Sequence, residues 1–318
     1  MTTDSRRLAW AVLSRAACGP SRELHELVAK VGVEAAAESV LTGDTPIAPD
    51  PRVIRYTDAR RDLEIIARAG GKFVTPDDPE WPFELFSIFD RLPRGLRSPT
   101  CVAPLGLWVR GSLSLRRASE RAVAVIGSRA ATEYGQRVAG DLAGDLADGG
   151  WTVVSGGAFG IDAAASRAAL AAGGATIVVL AGGVDRGHPS QLSRLHDDVA
   201  DTGLLISELP PGATVNRQRL LARNRLTVTL SRTVVAVEAG LRSGTGNTVG
   251  WANLLGLPAC AVPGPVTSAA SAGCNEMIRT SRAHMATCLA DVLTAAGRQR
   301  GTWMSGGPHP QLGNSARN

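Results

Sequence analysis

Residues 122–165 read AVAVIGSRAATEYGQRVAGDLAGDLADGGWTVVSGGAFGIDAAA, and this stretch decides the fold. An apolar run of strand length, Ala122–Gly127, opens into a turn of small residues, Gly127-Ser128-Arg129-Ala130-Ala131-Thr132. Helical spacing follows over Thr132–Ala147. A second apolar run, Trp151–Ser155, then opens into Ser155-Gly156-Gly157-Ala158-Phe159-Gly160-Ile161-Asp162. Strands apolar at every position are buried on both faces, and strands alternating with helices mean a parallel sheet covered on two sides.

The alternation continues outward. Further strand-like runs are Ala175–Ala181, Leu204–Ser207, Thr233–Ala239 and Ala259–Pro263. Helical stretches lie between them at Ile161–Ala172, Gln191–Ala200, Arg217–Leu230 and Thr248–Leu255, with Met277–Arg279 and Leu289–Ala295 on closing helices. The fold class is therefore α/β, a doubly wound parallel sheet. Before it, residues 72–121 carry Pro76, Pro79, Pro82, Pro93, Pro99 and Pro104, a density that resists regular helix. There the short run Leu107–Gly111 is expected to form an edge strand. Residues 6–69 read as a small, self-contained helical unit broken at Cys18-Gly19-Pro20-Ser21. A Gly-Pro turn bares amide donors that can clamp a nucleic-acid backbone, while a helical packing or dimerisation module is the plainer reading.

Composition sets the outer limits. The 318 residues are 44% hydrophobic and 20% charged, which suits a soluble globular chain and excludes a wholly disordered one. Of 34 Lys+Arg only Lys30 and Lys72 are Lys, and the excess over 29 Asp+Glu is small. Part of that excess comes from Arg298, Arg300 and Arg317 in a Gly- and Ser-rich tail over 297–318, which is expected to be disordered. Net charge alone is thus a weak nucleic-acid signal, and only clustering strengthens it. Five scattered cysteines without a C-x-x-C pair fit reduced thiols and neither a disulfide framework nor a metal site. No stretch approaches the ~18 apolar residues of a membrane span. The expected location is cytoplasmic, with no membrane partner.

Ligands of an open parallel sheet bind beyond the carboxyl ends of its strands, where helix N-termini present free amides. Three such ends open into small-residue loops: the two quoted above and Arg242-Ser243-Gly244-Thr245-Gly246-Asn247-Thr248. One glycine loop is often only a tight turn; three in one sheet favour a phosphate-binding face. A Walker A loop needs a Lys after its glycines and a dinucleotide fingerprint needs G-x-G-x-x-G, and neither is present. Between Glu208 and Glu238 there is no acid, yet Arg217, Arg219, Arg223, Arg225 and Arg232 all fall there. The candidate reading is an anion track, against a solvated helix face. Asp162, Asp185, Glu208 and Glu238 at strand–loop borders could serve as acid or base, though capping helices and holding arginines is the plainer role. Phe159, Tyr134 and Trp251 lie near the loops and could stack on bases or fill the core.

These motifs carry a resemblance. Ile126-Gly127-Ser128-Arg129, Ser155-Gly156 through Gly160-Ile161-Asp162-Ala163-Ala164-Ala165, Ser207 through Gly212, Arg223-Asn224-Arg225, Glu238 through Thr245, and Ala261 through Gly264 occur in one order. That order resembles the bacterial DNA-processing protein A (DprA/Smf) family over roughly 75–293. The resemblance implies an extended Rossmann-like core, residues 72–296, behind a small helix-hairpin-type domain, residues 1–71. It further implies a homodimer without enzymatic activity, cofactor or metal. Such proteins bind and protect single-stranded DNA in natural transformation and load the RecA recombinase onto it. Carried over by residue, Gly127, Ser128, Arg129, Ser155, Gly156, Gly160, Arg223, Arg225, Ser243 and Gly244 contact phosphate. Asp162 and Asn224 shape the loops.

Departures from the family pattern are specific. Phe159 stands where the second loop usually has Arg, which exchanges a cation for a ring able to stack on a base; Ser166 replaces a His. Leu220-Leu221-Ala222 precedes Arg223 where F-P-x is usual, and Thr245-Gly246-Asn247 follows Ser243-Gly244 where Ser-Leu is usual. The winged-helix domain of many members is not expected after Ala296, where the sequence shows no core pattern. Two further readings stand beside the first. One is a nucleotide-binding Rossmann enzyme resembling the nucleoside 5′-monophosphate phosphoribohydrolases, whose glycine signature is half met by Ser155–Asp162. The other is a structural or partner-binding chain whose phosphate face has decayed.

Overall fold

The computed structural model describes residues 3–45, 55–93 and 100–298. Nine strands form one sheet in the order β1-β2-β6-β5-β4-β3-β7-β8-β9. The strands are β1 (Gly71–Val74), β2 (Leu107–Arg110), β3 (Ala122–Ile126), β4 (Thr152–Ser155), β5 (Thr176–Val179), β6 (Leu204–Ser207), β7 (Thr233–Ala236), β8 (Ala259–Ala261) and β9 (His284–Met285). From β6 across to β9 every pairing is parallel, whereas β1–β2 and β2–β6 are antiparallel. The helices after the first six parallel strands are α7 (Glu133–Asp148), α8 (Ile161–Ala171), α9 (Ser193–Thr202), α10 (Arg217–Thr229), α11 (Gly244–Leu254) and α12 (Ala272–Arg279), with α13 (Leu289–Ala296) closing the domain. The expected doubly wound α/β sheet is present, strand by strand.

Both faces of the strands are buried, as a parallel sheet requires. Ala122, Ala124 and Ile126 of β3 point into one cluster with Leu226 and Val228 of α10 and Trp251 of α11. Val123 and Val125 point the opposite way, onto Ala139, Leu142 and Leu146 of α7 and Ile161 and Ala165 of α8. Helix starts follow the sequence: Thr132 caps α7 by accepting from the Gly135 amide at 3.2 Å, and Asn216 caps α10 by accepting from Arg219 at 2.8 Å.

Two expectations about the N-terminal third change. The run Leu107–Gly111 is not at the sheet edge: β2 lies between β1 and β6, and β1, hidden in the proline-rich segment, takes the edge. The helical segment is also not self-contained. It comprises α1 (Thr3–Ala17), α2 (Arg22–Val31), α3 (Val33–Thr42) and α4 (Tyr56–Arg68), and the short α5 (Phe83–Phe86) and α6 (Leu115–Glu120) follow it in the proline-rich segment. Trp10 and Leu13 of α1 and Ile66 of α4 share one cluster with Phe73, Trp108, Val178 and Leu205 of the sheet. Trp108 stacks on Phe73 at 4.2 Å, and its indole N–H donates to Ser14 Oγ at 3.1 Å. These helices cover the part of the sheet that α7, α8 and α13 leave open, and burying that apolar face stabilises both parts at once. The tail expected from residue 297 lies, from 299 onward, outside the described residues.

Two histidines are buried by this packing. His25 Nε2 donates to the Ala103 carbonyl at 2.7 Å, and His196 of α9, 1% exposed, lies beside the Gly157 backbone with neither ring nitrogen in a well-formed hydrogen bond among the described residues. Burial holds both imidazoles below their ordinary 6.5, more strongly than the Ala103 carbonyl and Glu208 at His25, or the Gly157 backbone and Asp197 at His196, pull them up. The folded chain therefore binds fewer protons than the unfolded chain below that value, so stability is present above it and lost as pH falls through it. Between pH 7.5 and 5.5 the folded chain should lose stability, by no more than about 1.4 kcal/mol per histidine, the limit for an imidazole that stays neutral when folded. Urea midpoints at the two pH values should show it, and His196→Leu should remove its share.

Candidate nucleic-acid interface

Strands β4, β3 and β7 are neighbours, and their carboxyl ends carry the three glycine loops side by side. From β3 the chain winds one way through β4, β5 and β6, then returns to place β7 on the other side of β3. That reversal is the switch point at which open α/β sheets bind ligands. The sequence thus puts all three loops around one crevice.

The loops are tied to each other. Ser128 N–H donates to the Glu238 carbonyl at 2.8 Å, joining the first loop to the third. Ile161 N–H donates to the Ser128 carbonyl at 3.1 Å, joining the second to the first. The buried Glu238 carboxylate accepts from Thr132 N–H at 2.9 Å and Thr132 Oγ1 at 2.6 Å, and so fixes the start of α7. Asp162, at the start of α8, accepts from the amides of Gly156 at 3.0 Å and Ala158 at 3.3 Å. Burial pushes its carboxyl above the ordinary range, against the pull of Arg223 and the loop amides. Asn224 Nδ2 donates to Asn247 Oδ1 at 3.1 Å, tying α10 to α11. The four border carboxylates are all engaged: Glu208 holds Arg225, and Asp185 accepts from the Gly212 amide at 2.9 Å. Among the plain roles read from the sequence, capping and holding are the ones occupied.

Arg129 and Gly244 are exposed, Ser128, Gly156 and Gly160 are half-buried, and Phe159 stands 40% exposed at the tip of the second loop. Ser243 is the N-cap residue of α11 but its side chain makes no cap bond, and its Oγ is buried without a partner among the described residues. Gly127 lies half-buried against Ile161.

Two residues expected at phosphate are elsewhere. Ser155 is fully buried, and its Oγ is spent on Ser166 Oγ at 3.1 Å and the Gly157 amide at 3.4 Å. Arg225 is 0% exposed; its Nη2 pairs with Glu208 at 2.5 Å, Nε donates to the Val102 carbonyl at 3.1 Å and Nη1 to that of Ala222 at 3.2 Å. It is an internal ion pair with no reach to a ligand. Arg223 is intermediate between these and the surface. At 9% exposure it donates from Nη1 to the Val179 carbonyl at 2.8 Å and lies so close under Gly156 that any Cβ there would meet its guanidinium. Burial pulls it down to about 10 although Asp162 opposes the change. Arg219 donates to the Thr214 carbonyl and to Cys18 Sγ, so α10 carries no continuous cationic track. The Cys18–Arg219 contact joins residues 201 positions apart and had no signal in the sequence.

Residues 72–297 match the family described as DNA recombination-mediator protein A. The chain belongs to that family. A chain of Mycobacterium tuberculosis (strain H37Rv) is 47% identical over 284 residues, covering 87% of this chain and 72% of that one. The DNA processing protein DprA of Streptococcus pneumoniae (strain R6) is 35% identical over 220 residues, 68% of this chain and 71% of its own. The crystal structure of S. pneumoniae DprA superposes with a TM-score of 0.69 at 28% identity, covering 89% of this chain and 95% of that one. A Helicobacter pylori family structure, described for its single-stranded DNA binding mode, gives 0.59 at 26% identity, covering 71% and 96%. The Rossmann-like sheet is thus the family's fold. Among the described residues no helix is long and apolar enough to cross a membrane.

Proposed function

We propose that this family member binds single-stranded DNA across the crevice formed by its three glycine loops, as a non-enzymatic, cytoplasmic homodimer. It protects strands taken up in natural transformation and hands them to RecA. The observation that carries the reading is the clustering at one switch point of loop amides, the exposed Arg129 and the protruding Phe159. Amides and an arginine suit phosphates, and an exposed ring suits bases, which only an unpaired strand offers. The H. pylori structure, described for its single-stranded DNA binding mode, supports the same ligand class.

Fluorescence anisotropy with labelled single-stranded and duplex oligonucleotides across a salt series tests it. The single strand should bind more tightly, with steep salt dependence. Arg129→Ala should flatten the slope by about 0.7 for one lost phosphate contact. Phe159→Ala should weaken binding by about 1–3 kcal/mol. Absence of single-strand binding at low salt would sink the reading. The RecA half is tested by RecA-dependent ATP hydrolysis on strands pre-coated with single-strand-binding protein, which the wild-type chain should accelerate.

A further inference from the structure

We propose that the N-terminal helices take part in strand binding: the Cys18-Gly19-Pro20 turn closes a pocket against α10 that receives one unstacked nucleobase. The inference rests on the single-strand reading above. A cavity of about 640 Å³ separates this turn from α10, within the range of sites that bury a small ligand. One wall is Arg223, the same side chain that underlies Gly156 of the second loop, so the cavity opens beside the phosphate face. Among the described residues its Nε is buried without a partner, in a residue only 9% exposed.

The lining selects the ligand. Leu180 and Trp251 supply apolar surface that a phosphate cannot use but a flat base can. Asn247 Oδ1 already accepts from Asn224, which leaves its Nδ2 as a donor, and the Glu208 oxygen not bonded to Arg225 is an acceptor, together the complement of a base edge. The Glu208 carboxylate also disfavours a second anion inside, which leaves the phosphates outside over the loops. The turn is held in place for this task. Ser21 caps α2 by accepting from the Leu24 amide at 3.3 Å, and Cys18 Sγ accepts from Arg219 Nη2 at 2.9 Å across the cavity rim. A base lying between turn and helix would stack against guanidinium planes.

Cys18 is a built-in reporter. It is half-buried and lines the cavity, whereas Cys101, Cys260 and Cys274 are buried and Cys288 is exposed away from it. The native chain is saturated with a thymidine oligonucleotide, or with an abasic strand of equal length, and saturation is confirmed by anisotropy in the same samples. Iodoacetamide alkylation of each thiol is then followed by mass spectrometry. With strand at about ten times its Kd the pocket is free about one-tenth of the time, so alkylation of Cys18 should slow about tenfold. The abasic strand should leave Cys18 at its free rate, and Cys288 should be unchanged by either. Unslowed Cys18 under a bound intact strand overturns the pocket while the single-strand reading stands. Equal protection by the abasic strand overturns it too, by placing backbone rather than base at the turn. If no strand binds, both readings fall together.

Discussion

Arg225→Ala should destabilise the folded chain by about 3–5 kcal/mol and leave the salt slope of DNA binding where it was. The arginine is fully buried, and its three bonded nitrogens serve Glu208, the Val102 carbonyl and the Ala222 carbonyl. Truncation strips Glu208, itself 7% exposed, of its charge partner and abandons two carbonyls in the core. Against a total stability of about 5–15 kcal/mol this is a large fraction. Urea unfolding measures it. The companion variant, Arg225→Met with Glu208→Leu, removes both charges and should recover most of the loss, because the penalty comes from the unpaired carboxylate. A single-variant loss below about 1 kcal/mol would mean a solvated, screened pair and would reopen Arg225 as a ligand contact. The contrast with Arg129 separates the two kinds of arginine: the surface residue should change binding and its salt dependence, the internal one only folding.

The difference between those arginines marks how far the sequence could be read. Six of the seven parallel strands were legible because double-sided burial writes an apolar run, as in Ala122–Ile126, and α7 to α11 were legible as the helical stretches between them; β9, two exposed residues, was not. The place of the three loops follows once the strands alternate with helices. Side-chain direction on α10 did not follow. Arg219 and Arg225 look equally cationic in sequence, but α10 is packed between the sheet, α11 and the segment around Val102, so it has little free face. The partner that makes Arg225 internal is Glu208, 17 residues away on another element. Strand β1 was hidden because only Phe73 and Val74 of Gly71–Val74 are apolar and buried and prolines follow, so it writes no apolar run like those of the equally short β4 to β7. The shared core of Trp10, Ile66 and Trp108 was invisible for a related reason. An amphipathic helix declares that it has an apolar face but not what covers it. Ser155 shows the same limit in one residue: a serine at a strand end reads as a phosphate donor, and only the Ser166 hydroxyl beside it shows where the bond goes.

Gly160→Ala should be the most damaging single methyl in the site. Gly160 sits at φ 74°, a region L side chains rarely adopt, and a Cβ there would stand 2.2 Å from the Ser128 carbonyl oxygen and 2.6 Å from that of Arg129. The obstacle is backbone, so no rotamer relieves it. Positive-φ strain and overpacking each cost about 1–3 kcal/mol, and where both apply the first loop must move off the second. The Ile161–Ser128 hydrogen bond that joins the two loops would be lost with that movement. Urea unfolding should therefore show a loss of about 2–6 kcal/mol, and anisotropy at least a tenfold fall in single-strand affinity from displaced amides. Gly244→Ala supplies the counterpart. A Cβ at Gly244 meets nothing within 4 Å, and the residue opens α11, where Ala is a better helix former. Its stability should hold or rise slightly. If its affinity nevertheless falls, the strand's backbone passes close over the third loop, since only a ligand can occupy the space the methyl enters. If affinity holds, the strand is gripped by the first two loops, and Ser243 and Gly244 serve to start the helix.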